Sequence, residues 1–366
     1  MKSTVRRTCT AGAVVAGAGV LLAASAAALG GLGAPGSARS AVVTHPAALV
    51  GAAVGSTRPA PGSGVAYGPR GTRPPSPSGG GAAAGSGQPP QQSALTPAQL
   101  LAGVGPVPPG WAAEVHTLVA GGRDRTYLTL EPDDPDGPLP VVVLLHGRNM
   151  SPDGILHASE LADQVGPAVL VVPAGWDEQW NAGDCCGAAY LDDVDDVGFI
   201  EQAVGAVLTS TPHASRSEVF AVGFSNGGRL VYRLACDLPG TFAGVMAVEA
   251  VPVETCPSMR PVDMTIVAQD DDPLLTVSAA GRPKSVGGFV EPTVAATVAH
   301  MQDLDHCRPD PTVAASGQAV EQTWSCADGT RLRYVSYPGG AHTWRPSTPG
   351  TPGATELVRQ LLGSSL

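Results

Sequence analysis

The chain has 366 residues and a formal net charge of −11, from 21 Lys+Arg against 32 Asp+Glu. Its 47 Gly and 35 Pro make up 82 residues, about 22% of the chain, and the first acidic residue is Glu114. Residues 1–113 carry +7, from Lys2, Arg6, Arg7, Arg39, Arg58, Arg70 and Arg73, so the remainder carries −18. An acidic domain repels phosphate backbones, which disfavours nucleic acid, and none is expected as a partner. One long apolar run excludes a multi-span membrane protein.

That run, Ala11 to about Leu29, follows Lys2, Arg6 and Arg7, a charged n-region before an apolar h-region. Small-x-small sites follow at Ala24-Ser25-Ala26 and Gly36-Ser37-Ala38. Residues 1–38 are therefore expected to be a signal peptide, leaving no stable membrane span once it is cleaved. Between Gly30 and Gly110, 32 of 81 residues are Gly or Pro. Such a segment buries too little apolar area to offset its chain entropy. Residues 39–110 are expected to form a disordered linker, and 111–366 the catalytic domain.

Within that domain, Glu114–Leu118 and Thr126–Leu130 predict a hairpin around Gly121-Gly122. Leu139–Leu145 and Ala168–Val172 are continuous apolar runs, as buried strands require. Val194–Leu208 has helical spacing, with Asp195 or Asp196 as N-cap. Glu218–Gly223 predicts a strand and Asn226–Ala235 a helix; Phe242–Val248 and Val262–Val267 predict two more strands. Val294–Leu304 is a helix, Gln322–Ser325 and Arg331–Ser336 a hairpin, and Thr355–Leu362 a closing helix. Buried strands alternating with helices predict an α/β fold, a mostly parallel sheet with helices on both faces. Ligands gather at the carboxyl ends of such strands.

Gly223-Phe224-Ser225-Asn226-Gly227-Gly228 lies between a predicted strand and a predicted helix. G-x-S-x-G in that setting is a nucleophile elbow, with Ser225 at its tip. A hydroxyl needs a base. His342, in the glycine-rich loop Gly339-Gly340-Ala341-His342, lies after the last predicted strand, as this architecture orders its triad. The orienting acid should fall between them, and Asp270-Asp271-Asp272 follows the Val262–Val267 strand; spacing leaves the three open. The oxyanion would be held by the backbone N–H groups of Asn226 and Arg148. Trp180 either stacks on substrate or anchors its loop; Trp180, Asn181 and Trp344 are the expected substrate contacts. No metal is expected, since the cysteines lack C-x-x-C spacing and no histidine pair stands near them. Six cysteines beyond Cys9 form an even set in an exported chain, so disulfides are expected. Cys307 should pair with Cys326, while Cys185 and Cys186 either split between Cys236 and Cys256 or close on each other.

Five segments together carry a family resemblance: His146-Gly147, Trp180-Asn181-Ala182-Gly183-Asp184-Cys185-Cys186-Gly187, Val194-Asp195-Asp196-Val197-Gly198-Phe199-Ile200, Gly223-Phe224-Ser225-Asn226-Gly227-Gly228 and Gly340-Ala341-His342-Thr343-Trp344. Over roughly residues 114–366 the chain resembles the secreted polyhydroxybutyrate depolymerase and feruloyl esterase group of α/β-hydrolases. The resemblance implies an α/β-hydrolase fold and a cofactor-free serine esterase. Its substrates would be polyhydroxybutyrate-type or feruloyl and acetyl esters. The family's acid usually closes a His-Gly-x-x-Asp stretch, which selects Asp272, although Ala268-Gln269 replaces His-Gly here. Met301 stands where a tryptophan is usual, and Arg345 interrupts an expected Trp-Pro. The expected protein is thus an exported serine ester hydrolase working through an acyl-enzyme, secreted or held at the cell envelope. The alternatives are an envelope acyltransferase on the same triad and an inactive surface binding protein.

Overall fold

The computed structural model describes residues 97–103, 107, 109–254, 256–277, 281, 284–286 and 289–363. The expected signal peptide and the linker up to residue 96 lie outside the described residues.

The described chain begins earlier than the composition suggests. Helix α1 (Pro97–Gly103) forms inside the stretch expected to be linker, and Leu100 is buried in the core beside Leu128 and Ile155. An apolar side chain with a surface to cover it offsets the ordering entropy of a short segment, which the Gly and Pro content of its neighbours conceals.

Strands β1 (Trp111–Ala120) and β2 (Arg123–Pro132) pair antiparallel across Gly121 and Gly122, at φ 56° and 75°. That left-handed backbone costs glycine nothing. There follow β3 (Leu139–Leu145), α2 (Pro152–Ser159), α3 (Leu161–Gln164), β4 (Val169–Pro173) and α4 (Gly187–Leu191). Next come α5 (Asp196–Ser210), β5 (Ala214–Phe224), α6 (Asn226–Asp237), β6 (Gly244–Val248) and β7 (Asp263–Gln269). The two-residue strands β8 (Ser285–Val286) and β9 (Phe289–Val290) precede α7 (Val294–Leu304). Then β10 (Thr312–Ser316), β11 (Ala319–Ser325), β12 (Arg331–Tyr337) and α8 (Ala354–Leu362) complete the order.

Among the described residues ten strands form one sheet in the order β1-β2-β4-β3-β5-β6-β7-β12-β11-β10. The strands from β4 to β12 run parallel, and β1–β2 and β11–β10 add antiparallel margins. Successive side chains leave a strand on opposite faces. Val141, Val143 and Leu145 of β3 accordingly join a core with Phe199 of α5, Leu230 of α6 and Met301 of α7. Val142 and Leu144 join a second core with Ile155 of α2, Leu161 of α3 and Leu357 of α8. This two-sided burial is why β3 reads as an unbroken apolar run. Asp195 caps α5, its carboxylate accepting from Gly198 N–H at 2.9 Å. β10 has no counterpart in the sequence reading: all five of its residues are exposed, so no apolar alternation marks it. No described helix is long and apolar enough to cross a membrane.

Candidate active site

β5 ends at Phe224 and α6 begins at Asn226, so one residue makes the turn. Ser225 takes φ 52° and ψ −116°, in the region L-residues rarely occupy, and such a residue costs about 1–3 kcal/mol. Its own N–H donates to Val248 O of β6 at 2.9 Å, and its carbonyl accepts from Arg229 N–H at 3.0 Å. A Cβ on Gly223 would collide with Gly227 backbone, and one on Gly227 with the carbonyls of Leu145 and His146. The glycines let α6 close onto β5 and β3, and the closure lifts the hydroxyl above the strand ends.

His342 lies in the loop after β12 with its Nε2 2.7 Å from Ser225 Oγ. Its Nδ1 is 2.6 Å from Asp272 Oδ2 in the loop after β7. An ionised carboxylate only accepts, so Nδ1 carries the proton and Nε2 accepts from the serine hydroxyl. Asp270 and Asp271 are exposed, whereas Asp272 is buried. Leu274 N–H and Leu275 N–H donate to its other oxygen at 2.6 and 3.3 Å. Burial alone would raise this carboxyl's pKa. The His342 hydrogen bond, the neighbouring Glu249 carboxyl and the Leu274 N–H outweigh that and hold it at about 2. The sequence reading missed Glu249, a buried carboxyl directly after β6 whose signal was an acid closing an apolar strand run. One oxygen each of Glu249 and Asp272 and one ring nitrogen of His342 lie within 4.8 Å of one another. Both ring nitrogens of His342 are engaged, so ligation of a cation there would cost one of those bonds.

His146 is fully buried, and burial lowers its pKa to about 4. Its neutral ring donates from Nδ1 to Gly147 O at 2.8 Å and accepts at Nε2 from Gly175 N–H at 2.9 Å. It thereby ties the loop after β3, which carries Arg148, to the loop after β4. Asn226 makes a second tie. Its side chain accepts from Trp180 N–H at 2.8 Å and donates to Trp180 O at 3.1 Å.

Three expected substrate contacts are corrected. Trp180 does not reach solvent: its indole packs on the His146 ring and donates to His146 O at 2.8 Å. Asn181 is spent inward, its N–H on Asp196 Oδ2 at 2.7 Å and its amide on Val194 O at 3.0 Å. Asp196 is itself locked to Arg125 at 2.6 Å, both fully buried. Trp344 is buried in the α8-side core, donating to Thr355 Oγ1 at 2.9 Å. In each case a buried polar atom needs a partner, and the protein interior supplies it.

Beside Ser225 and His342 opens a cleft of about 450 Å³. Arg148 and Asn226 line it, as do Tyr190, Leu274 and the Cys185–Cys186 disulfide. At its wall Arg229 pairs with Glu291 at 2.5 Å, the carboxylate nearly fully buried. Cys236 pairs with Cys256 and Cys307 with Cys326, so the adjacent cysteines close on each other.

Fold and site define an α/β-hydrolase. The chain is 31% identical over 276 residues to "Putative esterase NocK" of Nocardia uniformis subsp. tsuyamanensis, covering 67% of this chain and 78% of that protein. It is 29% identical over 149 residues to a poly(3-hydroxybutyrate) depolymerase of Ralstonia pickettii, covering 37% of this chain and 30% of the relative. Solved structures that resemble it include an acetyl xylan esterase from Aspergillus awamori (14% identity, TM-score 0.45, 63% of this chain and 94% of that one). Another is the feruloyl esterase module from Clostridium thermocellum (14%, TM-score 0.41, 76% and 95%). No protein-family model matches. The chain belongs to the same esterase family of α/β-hydrolases as the Nocardia relative, and it is a carboxylic-ester hydrolase.

Proposed function

We propose that the protein is an exported serine esterase that works through an acyl-enzyme formed on Ser225. The observation that carries this reading is the continuous hydrogen-bonded line Ser225 Oγ, His342, Asp272, with links of 2.7 and 2.6 Å. Ser225 Oγ attacks the ester carbonyl as its proton passes to His342 Nε2, and Asp272 balances the imidazolium. The carbonyl oxygen becomes an oxyanion, for which the N–H groups of Asn226 and Arg148 are the proposed donors. The C–O bond breaks and the alcohol leaves with the proton from Nε2. Water then gives a proton to Nε2, adds to the acyl carbon, and releases the acid and Ser225.

Tyr190, Leu274 and the disulfide give the cleft an apolar wall, Arg229 is paired with Glu291, and Arg148 and Asp184 add one charge of each sign, a lining without net charge that suits an uncharged ester. Hydroxybutyrate oligomers and feruloyl or acetyl esters meet that description. Export is supported by disulfides among the described residues, which persist in oxidising compartments. Ser225→Ala should abolish hydrolysis of a short-chain aryl ester and labelling by a fluorophosphonate with little change in Tm; turnover persisting in that variant refutes the assignment. Comparing hydroxybutyrate oligomers, methyl ferulate and acetylated xylan on the wild type assigns the substrate.

A further inference from the structure

Glu249 stands at the carboxyl end of β6, beside the strand whose following loop carries Asp272. Its backbone is at φ 49°, left-handed for a non-glycine residue, and its N–H donates to Val267 O at 2.9 Å. The side chain is 1% exposed. Oε2 accepts from Gln269 N–H at 3.3 Å. Oε1 has no hydrogen-bond partner among the described residues. Yet an oxygen of this carboxyl, one of Asp272 and a nitrogen of His342 are mutually within 4.8 Å.

Two carboxyls so close, sealed from water, cannot both ionise cheaply. The donors decide which keeps the proton. Asp272 receives His342 Nδ1–H, Leu274 N–H and Leu275 N–H, while Glu249 receives only Gln269, through its backbone and side-chain amides. The donors on Asp272 are more numerous and include the imidazole, so the proton belongs to Glu249. Oε1, which has no partner among the described residues, is the oxygen left to carry that proton towards the Asp272 carboxylate.

We propose that Glu249 is a positioning residue: held neutral, it donates from Oε1 to Asp272 and fixes the carboxylate that orients His342. This rests on the triad reading above. The electrostatics agree, since burial first and then the Asp272 contact push Glu249 up to about 10. The groups facing it are Asp272, His342, and Tyr334 and Tyr337 of β12, with Arg345 over the Tyr337 ring; both tyrosines are themselves raised to about 12, mainly by burial.

The test is the pH profile of kcat/KM for Glu249→Leu and Glu249→Gln, each normalised to active sites titrated with a fluorophosphonate. Glu249→Leu removes the donor and should lower kcat about 10- to 100-fold with KM little changed. Its acid limb should move up by about half a unit, because an Asp272 carboxylate with one donor fewer holds the imidazolium more firmly. Glu249→Gln offers an amide N–H in place of the acid and should recover most of the lost rate with the limb at its wild-type pH. An unchanged kcat in the leucine variant overturns the proposal. So does an acid limb that drops in the glutamine variant, since that would mean a negative charge had been removed from beside His342. Should the leucine variant not fold, the limb of the glutamine variant decides alone. Ser225→Ala run in parallel separates the two readings: activity there defeats the triad itself, whereas an inert Ser225→Ala beside an unaffected leucine variant defeats only the role of Glu249.

Discussion

Gln269 and Arg345 hydrogen-bond each other, Nη1 to Oε1 at 3.1 Å, beneath the loop that carries His342. Both stand where the chain departs from its family's usual residues, and the departures meet in space. Gln269 Nε2 donates to the carbonyls of Ala341 and Thr343, which bracket His342. Arg345 also reaches Gln318 at 2.8 Å and covers the Tyr337 ring. Neither residue lines the cleft, so the exchange bears on how the histidine loop is held.

Gln269→Leu should therefore lower kcat about 10-fold and leave KM nearly unchanged, since it frees two carbonyls of that loop. Arg345→Met should be milder. Stopped-flow and steady-state kinetics on the two single variants and the double variant should give a coupling energy of about 0.5–3 kcal/mol. Strict additivity would show that the contact does no positioning.

Asp272→Asn should cost about ten-thousand-fold in kcat, because an amide holds the wrong tautomer of His342. Asp270→Asn and Asp271→Asn, both on exposed side chains, should stay within a few-fold of wild type. A large loss in either exposed variant would move the acid elsewhere.

His146 makes the fold sensitive to acid. Its folded pKa, about 4, lies below the ordinary value of 6.5, so the unfolded chain takes up a proton first as pH falls. The stability from keeping it neutral is complete above pH 6.5 and is lost on descending to about 4, a change on the order of 3 kcal/mol. His146→Gln, whose amide does not titrate, should be less stable than wild type at pH 7. The gap should narrow steadily towards pH 4 in denaturant unfolding. A gap independent of pH would mean that His146 does not titrate on unfolding.

Trp180→Phe separates anchoring from substrate stacking. It deletes the N–H that satisfies His146 O and should cost about 1–3 kcal/mol of stability. Relative kcat/KM values across aliphatic and aromatic esters should stay within about 2-fold, since the ring is sealed from the cleft. A selective loss of aromatic esters would reverse that conclusion.

The Arg229–Glu291 pair keeps one stretch of the cleft wall neutral. Glu291→Gln should leave Arg229 uncompensated and raise kcat/KM for esters bearing a carboxylate relative to neutral ones. Breaking a largely buried pair from one side should also destabilise the fold by about 3–5 kcal/mol. Unchanged selectivity in the folded variant would show that Arg229 does not meet the substrate.

The sequence by itself determined the parts that repeat locally. Leu139–Leu145 reads as a strand because both of its faces are covered, and the elbow is legible because Gly223 and Gly227 are small for backbone reasons at fixed offsets from Ser225. What only the tertiary structure decided were contacts between residues far apart in the chain. Spacing could not choose among Asp270, Asp271 and Asp272, because their difference is burial, and burial arises when β7 packs beside β6 and β12. Glu249 looked like any acid after a strand until Asp272 was found beside it. Local sequence leaves Trp180 open between substrate platform and loop anchor and reads Trp344 as a substrate contact, but each has a polar tip that an interior acceptor satisfies. Periodicity records which face of an element is apolar; it holds no record of which distant atom will meet a buried polar group, and that is settled only when the layers close.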